Sequence, residues 1–230
     1  MSQTAASTSR AVFVHDGIRA DILSGALAPG TPLRLAALSR HYDVSMSVVR
    51  EALTRLAEHN LATLAPNQGF RVVEISRRDL MQLTELRTNL EGLALEKSIE
   101  LGDVQWEAQV VSAHHVLERA TMARDDGLGS TDEWSEAHAA FHEALLSKCD
   151  SPRLLSITQS LRNSAELYRQ LSALWATETG RDLLLEHREL MELAVARDAA
   201  AARAALVRHI ELTTKLVLET TLAETAPAEG

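Results

Sequence analysis

The stretch Val44-Ser45-Met46-Ser47-Val48-Val49-Arg50-Glu51-Ala52-Leu53 decides how this chain is to be read. Ser45 is a natural N-cap, and Val49, Ala52, Leu53 and Leu56 recur on one face of a helix running to about His59. The opposite face opens with the short polar groups of Ser45 and Ser47 and continues to Arg50. Backbone N–H groups and the helix dipole attract a phosphate at such an N-terminus. A long donor one turn on can reach base edges, and Arg suits guanine O6 and N7. Alone, S-x-S-x-x-R describes many capped surface helices, so the surroundings decide.

Upstream, Val14, Ile18 and Ile22 repeat at helical spacing over about 11–24, with Gly25 in the place of a C-cap glycine. Pro29-Gly30 makes a tight turn, a short helix follows over Leu35–His41, and Tyr42-Asp43-Val44 breaks it. Downstream come two β-like runs, Leu61–Ala65 and Phe70–Glu74, joined by the turn Pro66-Asn67-Gln68-Gly69. Helix, helix, turn, helix, hairpin is the layout of a winged helix-turn-helix, which binds DNA. The expected boundaries are a loose arm over 1–10, the DNA-binding domain over 11–75, a helical domain over 76–222 and a loose tail over 223–230.

From residue 76 onward the chain reads as helix throughout. Segments of about 76–101, 103–125, 132–149, 151–175, 179–197 and 198–222 predict an antiparallel bundle of about six helices, making the fold mainly α. Four histidines carry the chemistry here. His138 and His142 stand at i and i+4 beside Phe141 and Leu145; His187 shares a face with Leu183, Leu184, Leu190 and Met191; His209 shares one with Ala205, Leu206, Leu212 and Leu216. Imidazoles aimed into a bundle from three helices are costly unless their nitrogens are engaged, and a divalent ion engages them. Metal affinity is then expected to fall below pH ~6.5, the unperturbed histidine value. The adjacent pair His114 and His115 is expected on the surface. Arg87, with Glu91 one turn on, and Arg162, with Tyr168 beyond it, are candidate clamps for a carboxylate, the alternative for Arg87 being a plain pair with Glu91.

Bulk properties narrow the class. At 230 residues, 46% hydrophobic and 24% charged, with no apolar run near the roughly 18 residues a membrane span needs, the chain reads as one or two soluble domains. One cysteine, Cys149, fits a reducing cytoplasm, and the polar start MSQTAASTSR lacks the apolar region of a secretory signal. The net charge of −9 is unevenly placed. Residues 1–75 hold seven Arg, no Lys and six acidic residues, so the acidity belongs to the second domain.

The run GALAPGTPLRLAALSRHYDVSMSVVREALTRLAEHNLATLAPNQGFRV, Gly25 to Val72, resembles the DNA-binding domain of the GntR family. The second half is similar to the FCD ligand-binding domain of that family's FadR-type branch. The resemblance implies a homodimeric regulator, more often repressor than activator, on a palindromic double-stranded operator. It places Ser45, Met46, Ser47 and Arg50 on recognition-helix contacts and Gln68 and Gly69 on the wing tip; Arg34 joins the DNA-binding candidates. Met46 stands where the family often has Arg, Val48 where it often has Pro or Thr, and Asp43 where the turn usually has Gly. Metal-binding FCD domains carry D-x-x-x-H plus two single histidines. Phe141-His142, Glu186-His187 and Arg208-His209 match, while His138 replaces the aspartate. An all-nitrogen set favours Zn or Ni over Mn or Mg. The implied effector is a small organic acid, and the phrase FHEALLSKCDSPRLL resembles regulators of glutarate metabolism, pointing to a C4–C6 dicarboxylate. A metalloenzyme is disfavoured: His138 and His142 enclose Ala139-Ala140-Phe141 without the glutamate of H-E-x-x-H, and no Glu-x-x-His pattern is present. A bundle that only dimerises stays open as the other reading.

Overall fold

A computed structural model of the protein describes residues 2–65, 68–125, 129–176 and 180–220. The expected turn residues Pro66 and Asn67, the break residues 126–128, Thr179 and the tail from 221 onward lie outside them. The chain divides into two compact units, Met1–Ile75 and Ser76–Gly230.

The first unit runs α1 (Ser2–Leu23), β1 (Pro32–Leu33), α2 (Leu35–Tyr42), α3 (Met46–Glu58), β2 (Ala62–Ala65) and β3 (Gly69–Val72). The helix α1 takes in residues expected as a loose arm. Its buried stripe of Ala11, Val14, Ile18 and Ile22 starts at the position foreseen. Val49, Ala52, Leu53 and Leu56 of α3 are fully buried, so the apolar face read from the sequence is the one that packs. Asp43 caps α2 at φ 51° and ψ 49°, the left-handed turn between the paired helices. Ser39 Oγ donates to the Val44 carbonyl and braces that turn. The three-stranded antiparallel sheet has the order β1-β3-β2, with Leu33 opposite Phe70 and Ala65 opposite Gly69. The two-residue β1 was not foreseen, since so short a strand shows no alternation. It is defined by its partner β3.

The second unit is helical: α4 (Arg77–Leu101), α5 (Val104–Arg119), α6 (Asp132–Leu146), α7 (Pro152–Ser164), α8 (Glu166–Ala176), α9 (Leu183–Val195) and α10 (Ala199–Thr220). Side chains of Ser76, Asp103, Thr131, Ser151 and Asp182 cap helix starts, each accepting a backbone N–H three residues on. The segment expected as a single helix over 151–175 is two. At Ala165 the N–H is shared between the Leu161 and Arg162 carbonyls, the last turn tightens, and α8 sets off anew. Trp106, Phe141, Leu145, Leu95 and Leu206 lie at the centre of the core. Leu184 and Leu212, expected on the histidine faces, are 47% and 43% exposed and flank the buried stripe. Among the described residues no helix is long and apolar enough to cross a membrane.

Candidate nucleic-acid interface and metal centre

The first turn of α3 presents Ser45, Met46, Ser47 and Arg50 to solvent while Val48 and Val49 turn inward. Ser45 Oγ bonds Ser47 Oγ at 2.8 Å and makes no side-chain cap, so it leaves the first N–H groups of the helix uncapped on an exposed surface. Met46 is 57% exposed, an apolar side chain at the front of the helix. A shallow groove is lined by Arg34, Arg50, Gln68, Gly69 and Arg71, so residues far apart in sequence meet on one face. Gly69 has φ +77° at the start of β3, a conformation that L side chains rarely adopt. Sequence reasoning missed Arg71. Its Nη1 donates to the Gly30 carbonyl at 3.1 Å, and only strand pairing places it beside the groove.

In the second unit, α6 contributes His138 and His142, α9 His187 and α10 His209. One nitrogen from each lies within 4.8 Å of those of the others. Zn–N bonds of about 2.0–2.1 Å ask for modest closure from there. His142, His187 and His209 are buried and His138 half-buried, with Trp134 stacked on His138 at 4.8 Å and 24°. Among the described residues, His142 Nε2 and both nitrogens of His187 are buried without a partner. Burial, reinforced by neighbouring positive charge, lowers the proton affinity of His138, His142 and His187 well below the ordinary value. His209 is also lowered by burial, against the opposing hydrogen bond to Glu186. Neutral imidazoles with orphaned, convergent nitrogens suit a divalent ion, so the residues fit the group the sequence suggested.

Glu186 sits behind this cluster. Burial raises its pKa, but hydrogen bonds from Arg181 and His209, with their charges, outweigh that and hold it at about 2. Arg87 Nε donates to Glu91 Oε1 at 2.6 Å, and the second oxygen of the fully buried Glu91 has no partner among the described residues. Arg162 donates from Nη2 to Gln159 at 2.6 Å and keeps a buried Nη1 without a partner among the described residues. Both arginines are near enough for their charges to act on His142. Tyr168 is placed elsewhere: its hydroxyl donates to Asp79 Oδ2 at 2.9 Å and accepts the Ser76 N–H at 3.0 Å, securing the start of α4. His114 is buried against Phe141 with ring centroids 5.6 Å apart, contrary to the surface position expected; His115 is exposed as foreseen. Adjacent residues point about 100° apart on a helix, so one of the two could face the core.

Comparison with known proteins decides the family. Residues 10–72 match the bacterial regulatory proteins of the gntR family, and residues 82–212 match the FCD domain. The chain belongs to the GntR family, in its FCD-carrying branch. It is a DNA-binding transcriptional regulator. Similar relatives include the HTH-type regulator BphR of Paraburkholderia xenovorans, 37% identical over 87% of this chain and 82% of that protein. The HTH-type transcriptional repressor GlaR of Escherichia coli is 30% identical over 84% of this chain and 89% of its own length. A GntR-family regulator from Pseudomonas syringae has a similar structure, with a TM-score of 0.52 and 26% identity, over 94% of this chain and 89% of that one. Escherichia coli McbR/YncC, at 22% identity and a TM-score of 0.58 over 92% and 98% of the chains, shares the fold.

Proposed function

We propose that this GntR-family protein is a cytoplasmic repressor, working as a homodimer on a palindromic operator, whose DNA binding is released by a small organic acid at a metal centre. Its likeness to GlaR supports repression. Contacts to the operator are assigned to Arg34, Ser45, Met46, Ser47, Arg50, Gln68 and Gly69. Two copies of α3 related by a two-fold axis match the symmetry of a palindrome. Met46 in place of a family arginine exchanges a charged contact for an apolar one, which suits a thymine methyl.

The cluster of buried histidines with unpartnered nitrogens is the observation that carries the metal reading. His138, His142, His187 and His209 would hold zinc or nickel, and an ion with more than four ligands would supply a Lewis-acidic point of attachment for a carboxylate. Four neutral ligands cancel none of the ion's charge, and Arg162 adds positive charge nearby while Arg87 is balanced by Glu91, so an anion is the fitting occupant. Arg162 Nη1 offers a free donor for the acid, and a dicarboxylate could engage both ion and arginine. Tyr168 is left out of this set, because its hydroxyl bonds Asp79 at the start of α4. A bundle that merely dimerises would have no use for orphaned imidazoles in its interior.

The experiment is elemental analysis of protein purified without chelator, then reloading with zinc or nickel and a thermal-shift screen of C4–C6 dicarboxylates. We expect about one ion per chain and a rise in Tm with a dicarboxylate only in the loaded protein. Absence of metal after reloading would leave the dimerising bundle as the correct reading.

A further inference from the structure

Behind the histidine cluster lies a connected polar network. His209 Nδ1 stands 2.7 Å from Glu186 Oε2, and Arg181 grips both Glu186 oxygens, Nε on Oε1 and Nη2 on Oε2, each at 2.7 Å. The same guanidinium donates to Thr213 Oγ1 at 2.9 Å and to the His209 carbonyl at 3.0 Å. Glu186 and Arg181 are 19% and 9% exposed, so the network is largely shielded.

We infer that Glu186, held in place by Arg181, is the positioning residue of the metal centre: it fixes the proton of His209 on Nδ1 and so turns the Nε2 lone pair toward the ion. The inference rests on the cluster being a metal site. A carboxylate only accepts, so at 2.7 Å the ring nitrogen facing it must carry the hydrogen. Arg181 Nη2 reaches the same nitrogen only at 3.5 Å and competes weakly. The other nitrogen of the ring then carries the free lone pair. Among the described residues His142 Nε2 and both nitrogens of His187 are buried without a partner, so His209 is the pre-set ligand onto which they close. Partners of this kind orient imidazole and raise its basicity toward a metal. Because Arg181 occupies both oxygens, Glu186 supplies orientation while its charge is already balanced, and the ion would keep its pull on an anionic ligand.

The bland alternative is an ion pair that ties α9 to α10. A control is available in Glu189, which makes such a tie to Arg208 at 2.7 Å on the exterior of the same two helices. The test measures zinc affinity by competition with a chromophoric chelator for wild type, Glu186→Gln, Glu186→Ala and Glu189→Gln, alongside the Tm of each metal-free protein. Long-range nitrogen–proton NMR on the metal-free wild type reads the His209 tautomer. We expect a loss of about 10–100-fold in affinity for both Glu186 variants, none for Glu189→Gln, and a protonated Nδ1. Zinc affinity within twofold of wild type in the Glu186 variants, even with a lowered Tm, would overturn the inference, as would an unprotonated Nδ1. A wild-type chain that takes up no zinc is a different failure, that of the metal centre itself, because the tautomer is read without metal.

Discussion

Arg50 and the histidines show how much one side chain depends on its surroundings. Arg50 is exposed on the front of α3 and lines the groove with Gln68 and Gly69. Replacing it with Ala should cost about 1–3 kcal/mol of operator binding if it reads a base, with little effect on non-specific DNA. Equal affinity for wild type and Arg50→Ala at matched salt, by fluorescence anisotropy, would refute that role. The histidines carry a pH prediction with two separate windows. Their folded pKa values lie below the unfolded value of about 6.5, so the unfolded chain binds more protons and the metal-free bundle loses stability as pH falls through 6.5. Metal affinity, in contrast, stays level through that value and falls only at lower pH, where the folded-state imidazoles protonate. This corrects the simple expectation drawn from the unperturbed histidine. Parallel Tm and zinc-binding curves between pH 7.5 and 4.5 check both, and coincident midpoints at 6.5 would contradict the burial argument.

At the level of elements, the turn between α2 and α3 rests on Asp43 in the left-handed region. Asp tolerates that conformation better than most residues, but Gly adopts it without steric cost. Asp43→Gly should therefore stabilise the N-terminal unit or leave it unchanged, while Asp43→Val should destabilise it by about 1–2 kcal/mol. Urea denaturation that ranks Val above Gly would show that the turn is not strained. The break between α7 and α8 carries a different lesson. No Gly or Pro marks Ala165, and the periodicity runs through it, so 151–175 reads as continuous. The break sets Tyr168 against Ser76 and Asp79, at the start of the helix that carries Arg87.

On the scale of the whole molecule, an acid effector alters DNA affinity only if it prefers one arrangement of the DNA-binding units over another. Four residues, 73–76, separate the wing strand β3 from α4, which carries Arg87 and Glu91. We predict that succinate, glutarate or adipate releases the metal-loaded protein from its operator, and that His142→Ala binds DNA but is not released. Arg87→Ala alone is a poor probe, since it strands the fully buried Glu91 carboxylate at a cost of about 3–5 kcal/mol. The double variant Arg87→Met with Glu91→Gln removes both charges and should also bind without release. Operator titrations with and without each acid decide the matter. Variants that respond like wild type would place the effector site elsewhere.

Local patterns determined by themselves much of what this protein is. The apolar stripe of α3 and the glycine turns are written in near neighbours, because helix period and backbone freedom act over a few residues. The four histidines were legible for the same reason, each standing on an apolar stripe. Contacts across the chain are not local, and only the tertiary structure decided them. It set Arg71 beside the groove through strand pairing, turned His114 inward against Phe141, drew Tyr168 to Ser76, and placed Arg181 and Glu186 behind His209. An acidic or basic residue beside a helix reads as solvated until packing buries it. Whether it becomes part of a site depends on which helices meet there, and that is settled by the joint burial of all their faces.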